Sequence, residues 1–317
     1  MGRTWLRAVI SGALMLFLLY YLVDPAQAWG MLVRARWGYL GWLAAWITLD
    51  RLLMTYKWRL LLTCRGLELG FWPALKAYYL ASFAGCFLPS TLGADALRIM
   101  AVKGPGRPAE VVAASVVIER TLGFLAAVIA ALAGLCLLTW LTISLPPAFL
   151  AWSLGLGGLL AAGVVFSLSN RFGRFLQWLE SRLERWGKVG SWLGKALMAY
   201  HGYRDHGPAL LWFLLLSVLE QSGPVVGTWL TARAFDIDLG LLAAAAVAPV
   251  ALLFTRVPVS VSGFGVVEGL YVALFSLVGL GATDAFVLGF IANISIVVTT
   301  LPGAVFYLRS GLSQVED

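Results

Sequence analysis

Two short stretches of the chain combine proline, glycine and hydroxyl side chains with arginine and carboxylate groups inside apolar surroundings. The first, residues 89–98, starts with a proline that ends one helix and hydroxyl residues that can cap the next. A glycine then lets a ligand approach the backbone, and the free N–H groups of the new helix favour an anion. The sequence therefore predicts an anion-binding tip with the candidate residues Ser90, Thr91, Gly93, Asp95 and Arg98.

The second stretch, residues 256–269, repeats this order, with two serines and the glycines Gly263 and Gly265 after a proline. An arginine precedes the break, and arginine can bind a phosphate through two parallel hydrogen bonds. The carboxylate after the break could neutralise an arginine, bind a cationic head group or carry a proton. The candidate binding residues of this second tip are Arg256, Ser260, Ser262, Gly263, Gly265 and Glu268.

Other ionisable side chains lie within or near apolar runs, where a charge is a functional-site hypothesis by default. Glu119 and Arg120 join the candidate substrate-binding residues, and a structural ion pair is their alternative interpretation. Glu220 has the same two interpretations. Asp50 and Arg51 lie near a predicted membrane interface, where long side chains reach water without any functional role.

No metal, cofactor or catalytic residue is predicted. Cys64, Cys86 and Cys136 lie in or beside apolar runs without paired spacing, which indicates small buried side chains. The acidic pair in Asp236-Ile237-Asp238 resembles a nucleotide-sugar motif, but it falls on a short predicted loop and is interpreted as loop charge.

The elements that must position these residues are membrane helices. Of the 317 residues 61% are hydrophobic and 12% charged, a balance that excludes a soluble globular protein. The net charge of +7 comes from an excess of basic residues, which are expected at the faces of a membrane protein. The charge therefore does not indicate a nucleic-acid partner, and none is expected. The composition predicts an all-α polytopic membrane protein with one transmembrane domain over residues 1–317.

Apolar runs long enough for a helix of about 20 residues predict six full spans. The first run resembles a signal peptide, with basic residues before it and a small-residue site behind it, but an uncleaved helix is preferred. The predicted spans are 5–23, 37–56, 109–140, 148–168, 208–234 and 285–308.

Two further apolar stretches, 70–101 and 241–279, are broken by the two tips and are predicted to be re-entrant helical hairpins. The alternative is two pairs of ordinary helices joined by short loops. The order span, span, hairpin, span then occurs twice, in a first repeat over 5–140 and a second repeat of opposite topology over 148–308. Such inverted repeats are typical of secondary transporters. The tip glycines Gly93 and Gly263 lie 170 residues apart.

Charge sorting predicts the orientation of the chain. With both termini cytoplasmic, most basic residues outside the spans fall on the inner side, as expected for a prokaryotic cytoplasmic membrane protein. Seven of them lie in segment 169–207, whose apolar residues recur at steps of three, four or seven. We expect this segment to be an amphipathic helix on the inner leaflet, and a plain cytoplasmic linker is the alternative.

The tips also carry a family resemblance. The chain resembles the flippase-like family of the lysylphosphatidylglycerol synthase transmembrane region, which includes the UPF0104-type membrane proteins. Ala94 departs from the pattern, because a second glycine is commoner there. The matching residues are Leu88-Pro89, Gly93, Asp95, Arg98, Glu119-Arg120, Pro258, Ser260, Ser262-Gly263-Phe264-Gly265, Glu268-Gly269, Pro302-Gly303 and Tyr307.

The resemblance implies movement of a lipid between leaflets. In aminoacyl-phospholipid synthases a separate soluble domain makes the lipid, whereas the longest polar stretch here is 169–207, so an enzyme is not expected. The expected function is a flippase for a polar-headed lipid, phosphate-containing, isoprenoid or glycan-linked, bound in a midplane cavity between the two hairpins. The alternatives are a membrane transferase acting on a polyprenyl phosphate and a non-catalytic partner of a lipid-modifying enzyme. The expected partners are the lipid substrate and the bilayer, with a homodimer or a lipid-biosynthesis enzyme left open.

Overall fold

The computed structural model describes residues 15–18, 20–87, 91–142, 147–183, 185, 187–254 and 264–310. These residues form an all-helical protein, and no β-strand occurs among them. In chain order the helices are α1 (Pro25–Val33), α2 (Trp37–Cys64), α3 (Phe71–Phe87), α4 (Thr91–Val102), α5 (Ala109–Thr142), α6 (Pro147–Ser167), α7 (Asn170–Leu183), α8 (Gly187–His201), α9 (Gly207–Glu220), α10 (Ser222–Ala234), α11 (Leu241–Phe254), α12 (Val266–Phe275) and α13 (Ala282–Ser310).

Three described helical segments are long and apolar enough to cross a membrane, and a bent helix pair makes a fourth candidate. The three are Ala109–Leu141, Val189–Ala234 and Ala282–Leu308, and the pair is Ala151–Ser167 with Asn170–Leu183, bent by 63°. These segments overlap the predicted spans 109–140, 148–168, 208–234 and 285–308.

The two remaining predicted spans have different outcomes. Span 37–56 lies inside α2, whose 28 residues include four charged ones, and this helix does not qualify as a span by its composition. Span 5–23 lies largely outside the described residues.

Each of the two broken apolar stretches forms a pair of helices that pack against each other. Helices α3 and α4 form the first pair, and α11 and α12 form the second. The connecting residues 88–90 and 255–263 lie outside the described part of the chain. Helix pairs are therefore present at both predicted hairpins, while their entry and return on one membrane side stays a prediction.

Segment 169–207 differs from the single amphipathic helix that the sequence predicts. It contains the two helices α7 and α8, which pack against each other, followed by a 3₁₀ turn at Gly202–His206. Gly187 has a φ of +73°, a conformation that side chains with a Cβ rarely adopt, and α8 starts at this residue. The periodic apolar pattern continues across this break, which is why the pattern alone predicts one helix.

The loops that enter the two helix pairs match residue by residue. Residues 67–70 are Leu-Glu-Leu-Gly and residues 237–240 are Ile-Asp-Leu-Gly, at a separation of 170. In both loops the two aliphatic side chains are buried and the acidic side chain between them is exposed. The same separation relates the tip glycines, so it extends from the loop into the hairpin.

The backbone of these two loops is equivalent as well. Gly66 and Asp236 immediately precede the matching residues, and they have positive φ angles of +69° and +54°. The next amide in each loop donates to a carbonyl five residues earlier, at 3.0 Å for Leu67 and 2.9 Å for Ile237. Each helix pair is therefore entered through the same left-handed turn at the end of the preceding helix.

The described helices gather into two compact units. The first unit comprises Met1–Asp50, Ala127–Leu154 and Glu220–Thr299, and its main core includes the buried Tyr271 and Phe275 of α12. It holds the second helix pair. Each unit contains residues from both predicted repeats.

The second unit comprises Arg51–Ala126, Gly155–Leu219 and Thr300–Asp317. It has two cores, one around the buried Trp58 of α2 and one around the buried Tyr203. It holds the first helix pair and the charged residues described next.

Candidate functional site

Four charged side chains from two helices form an ion-paired cluster in the second unit, which we call the charged quartet. Asp95 and Arg98 lie on α4, three residues apart and therefore on one face of that helix. Glu119 and Arg120 are neighbours on α5. The quartet brings together one acid and one base from each helix, and its formal charge is zero.

The tightest pair of the quartet joins Arg98 to Glu119. The guanidinium donates through Nη1 to Oε1 at 3.2 Å and through Nη2 to Oε2 at 2.7 Å, which is a bidentate geometry. Only 4% of the Arg98 side chain and 14% of the Glu119 side chain are exposed. A pair this buried is costly to break, because the remaining charge is left without compensation.

The second pair of the quartet is also bidentate but is more open. Arg120 donates to Asp95 through Nε at 3.0 Å and through Nη2 at 2.9 Å. The Arg120 side chain is 46% exposed, against 13% for Asp95. The i, i+3 neighbours Asp95 and Arg98 approach only to 3.7 Å, so the main partners of both residues are on the next helix.

Two aromatic rings from α2 and α3 enclose the buried arginine of the quartet. The Arg98 guanidinium carbon lies 4.5 Å from the Trp58 ring centroid and 4.7 Å from that of Tyr78. The Tyr78 hydroxyl donates to Glu119 Oε1 at 2.7 Å, and the Trp58 indole N–H donates to Ser115 at 3.0 Å. These contacts hold Arg98 in one orientation.

In the second helix pair, the buried carboxylate of Glu268 stabilises the start of α12. It accepts a hydrogen bond from the backbone N–H of Gly265 at 2.7 Å and one from the Asn293 side chain at 2.9 Å. Gly265 has a φ of +82°, which favours glycine at this turn. Glu268 therefore fixes the backbone directly after the second tip.

Helix α13 approaches α12 closely beside Glu268. A Cβ atom at Gly289 would lie 2.9 Å from the Glu268 Cα and 3.4 Å from the Tyr271 Cβ. The glycine thus allows Asn293, one turn further along α13, to reach the carboxylate.

The two polar contacts occupy equivalent places in the two helix pairs. Arg98 and Glu268 lie five residues after the tip glycines and 170 residues apart. Each is on the second arm of its pair, and each binds a polar residue of the long helix that follows, Glu119 in one case and Asn293 in the other.

The predicted site residues fall into four groups. The structure brings together Asp95, Arg98, Glu119 and Arg120, and it separately places Gly265 beside Glu268. Gly93 lies in the first turn of α4, and Thr91 begins that helix with its side chain outside the described part. The predicted residues that lie wholly outside the described part are Ser90, Arg256, Ser260, Ser262 and Gly263.

Sequence reasoning missed Trp58, Tyr78, Ser115 and Asn293. Asn293 had a usable signal, because it is an amide near the middle of a predicted span and needs a polar partner there. The aromatic residues had none, since 13% of the chain is aromatic and its pattern does not single out two rings.

The acidic motif Asp236-Ile237-Asp238 lies on a loop with both carboxylates exposed, which agrees with its interpretation as loop charge. Asp236 forms an ion pair with Arg36, and both side chains are more than half exposed. The Arg36 backbone N–H also donates to the Ala234 carbonyl at 2.8 Å, so this pair ties two loops together. Among the described residues, no group of three or more His, Cys, Asp and Glu side chains could hold a metal ion.

Long apolar helices and an all-helical fold of the described residues indicate an integral α-helical membrane protein. The chain belongs to the family described as the lysylphosphatidylglycerol synthase TM region, whose model matches residues 4–303. The resemblance found in the sequence is thereby confirmed over nearly the whole chain. No curated protein and no solved structure matches it.

Proposed function

We propose that this protein moves a polar-headed lipid between the leaflets of a prokaryotic cytoplasmic membrane. The observation that carries the proposal is the charged quartet, which joins the second arm of the first helix pair, α4, to the long helix α5 that follows it. Ionisable groups within membrane segments mark substrate or ion pathways more often than they serve stability alone. The family is lipid-related by its description, which agrees with a lipid as the cargo.

The quartet suggests which group meets the lipid. Arg98 is enclosed by two rings and a carboxylate, whereas nearly half of the Arg120 side chain is open. A lipid phosphate can replace Asp95 on Arg120, because phosphate accepts the same two parallel hydrogen bonds. Arg120 stays paired throughout such an exchange, and the released Asp95 can then pair with a cationic head group.

The second helix pair contributes through its tip. Glu268 fixes the backbone at Gly265, next to the predicted binding residues Ser260, Ser262 and Gly263. We therefore assign Glu268 a positioning role and leave contact with the lipid to the hydroxyl and amide groups of the tip.

An inverted repeat is part of the proposal. The matching loops at 67–70 and 237–240, with their shared left-handed turn, support two related halves. Helix α4 has 12 residues and α12 has 10, lengths of about 18 and 15 Å, against roughly 30 Å of hydrocarbon. Arms this short favour hairpins that return to the side they entered. Both chain termini are cytoplasmic in this proposal, because most basic residues then fall on the inner side.

A membrane transferase is the second candidate, and the described carboxylates do not favour it. A general base needs a free oxygen near the reacting group. Both oxygens of Asp95 accept from Arg120, and both oxygens of Glu268 are hydrogen-bonded. A non-catalytic partner of a lipid enzyme would not need the quartet for any transport step. The experiment below separates the two functions, because only a transporter should lose translocation when the quartet is changed.

The test is lipid translocation in proteoliposomes, with fluorescent phosphatidylglycerol and fluorescent polyprenyl phosphate as probes. We expect the parent protein to accelerate movement of at least one probe and Arg120→Gln to slow that movement by about tenfold or more, from the loss of a charged bidentate contact. The matched control is Arg36→Gln, which removes an arginine from an exposed ion pair and should retain the parent rate. No acceleration of either probe by the parent, or equal rates for the two variants, contradicts the proposal.

A further inference from the structure

Helices α7 and α8 form a surface that the transport proposal does not use. Helix α6, which qualifies as a candidate span together with α7, exposes large apolar side chains along its length, among them Trp152, Leu156, Leu159 and Val165. The chain then bends by 63° between α6 and α7. Such a bend suits a helix that leaves the hydrocarbon and turns to run along the membrane surface.

A ladder of aromatic rings continues around this bend. Phe166 at the end of α6 lies 5.8 Å from Phe172 between ring centroids, and Phe175 and Trp178 follow along α7 at 5.9 Å each. Phe175 and Trp178 are about half exposed. The apolar surface of a membrane helix thus extends without interruption onto α7.

Arginines share the exposed face of α7 with these rings. At 3.6 residues per turn, Phe175, Trp178 and three arginines project within an arc of about 100°. Gly173 and Leu176 lie on the opposite, buried face, where a Cβ at Gly173 would overlap the His201 ring of α8. The guanidinium of Arg182 lies 4.9 Å from the Trp178 ring centroid. The three arginines of this face are Arg171, Arg174 and Arg182.

Basic residues outnumber acidic residues in segment 169–207. Residues 169–207 contain seven basic and three acidic residues. One of the acids, Glu180, is on the packed side of α7, since a Cβ at Gly194 of α8 would lie 2.8 Å from its Cγ. Among the described residues of α7, the exposed face therefore carries arginines and aromatic rings and no acidic side chain.

We propose that the exposed face of α7 is a binding surface for anionic phospholipid head groups of the membrane in which α6 is embedded. The rings insert among the acyl chains next to the head groups, and the arginines bind lipid phosphates. Two observations favour lipid over an acidic protein partner. The aromatic ladder is continuous with the exposed apolar side of α6, and rings mixed with arginines suit the membrane interface.

The test uses the full-length protein in nanodiscs, without native cysteines and with Gln177→Cys, an exposed position on α7, carrying a fluorophore. Quenching by brominated phosphatidylglycerol is compared with quenching by brominated phosphatidylcholine at equal mole fraction. We expect a several-fold preference for phosphatidylglycerol in the parent. Arg171→Gln/Arg174→Gln/Arg182→Gln should lose nearly all of that preference, because each surface arginine contributes separately to anionic-lipid attraction.

A second triple variant, Arg34→Gln/Arg36→Gln/Arg233→Gln, removes the same charge from exposed positions elsewhere and should keep the preference. Phe175→Ala/Trp178→Ala should weaken quenching by both lipids. Equal quenching by the two lipids in the parent, or an unchanged preference in the α7 variant, overturns the proposal. Absence of quenching by either lipid also overturns it and indicates a surface for a soluble partner. Translocation by the same variants is measured in the proteoliposome assay described above. That measurement reports separately on the transport proposal.

Discussion

Removal of Glu119 from the quartet is the sharpest test of how the charged site is built. Glu119→Gln keeps the size of the side chain and an acceptor for Tyr78 but removes the charge that compensates Arg98. The Arg98 side chain is only 4% exposed, and its nearest remaining carboxylate oxygen, on Asp95, is 3.7 Å away and already bound to Arg120. Breaking a buried pair of this kind costs roughly 3–5 kcal/mol of unfolding free energy.

The comparison variant removes the whole buried polar group rather than one partner. Tyr78→Phe/Arg98→Met/Glu119→Leu replaces the hydroxyl, the guanidinium and the carboxylate by apolar groups of similar size. Such replacements are often neutral or stabilising, because no desolvated charge is left behind. We expect the triple variant to recover most of the stability that Glu119→Gln loses.

The assay is reversible unfolding in mixed micelles, followed by tryptophan fluorescence, with Arg36→Gln as the control. That control breaks an ion pair whose side chains are 57% and 64% exposed and should cost only about 0–1 kcal/mol. If the triple variant is at least as unstable as Glu119→Gln, the argument from uncompensated charge is refuted.

Three further predictions follow from the same structure. Tyr78→Phe should lower the unfolding free energy by about 1.5–3 kcal/mol in the same assay, because one hydrogen bond to a carboxylate is lost while the ring stays in place. No change would mean that the 2.7 Å contact is not formed. Gly289→Ala should destabilise the protein by about 1–3 kcal/mol, since its Cβ would lie 2.9 Å from the Glu268 Cα; a gain in stability, usual for this change in a helix, would disprove the close approach. Single cysteines at Glu68 and Asp238, both exposed, should react with an impermeant maleimide from opposite sides of the membrane, and labelling from one side would rule out the inverted repeat.

Sequence patterns predicted the positions of the charged residues better than their pairing. The i, i+3 spacing places Asp95 and Arg98 on one face of α4, yet each forms its bidentate contacts with α5. Bidentate geometry requires two groups that face each other in one plane, which helices in contact provide more readily than two positions on one helix. The partner helix depends on tertiary packing, and a single sequence does not contain that information directly.

The repeat was predicted from the order of elements, and its residue-level signal went unnoticed. Residues 67–70 and 237–240 differ in two of four positions, by conservative changes that a search for identity overlooks. The shared positive φ at Gly66 and Asp236 could not be recognised from the residue types, for a physical reason. Aspartate can adopt the left-handed region that glycine prefers, so two residue types encode one turn.

The helical character of the chain was the most predictable feature. Membrane helices satisfy their own backbone hydrogen bonds, so long apolar runs leave few alternatives. Breaks inside amphipathic segments were less predictable, as at Gly187. The sequence alone does not show whether a glycine continues a helix or ends it.

The central claim is that the quartet binds a lipid phosphate through Arg120, and lipid that copurifies with the protein tests it most directly. Quantitative mass spectrometry of the parent should find a phosphate-containing lipid bound in near-stoichiometric amount. The same lipid should be retained by Arg36→Gln and largely lost from Arg120→Gln, whose fold is checked by its unfolding transition. An equal amount of lipid in Arg120→Gln and the parent, or no phosphate-containing lipid in the parent, would contradict the claim.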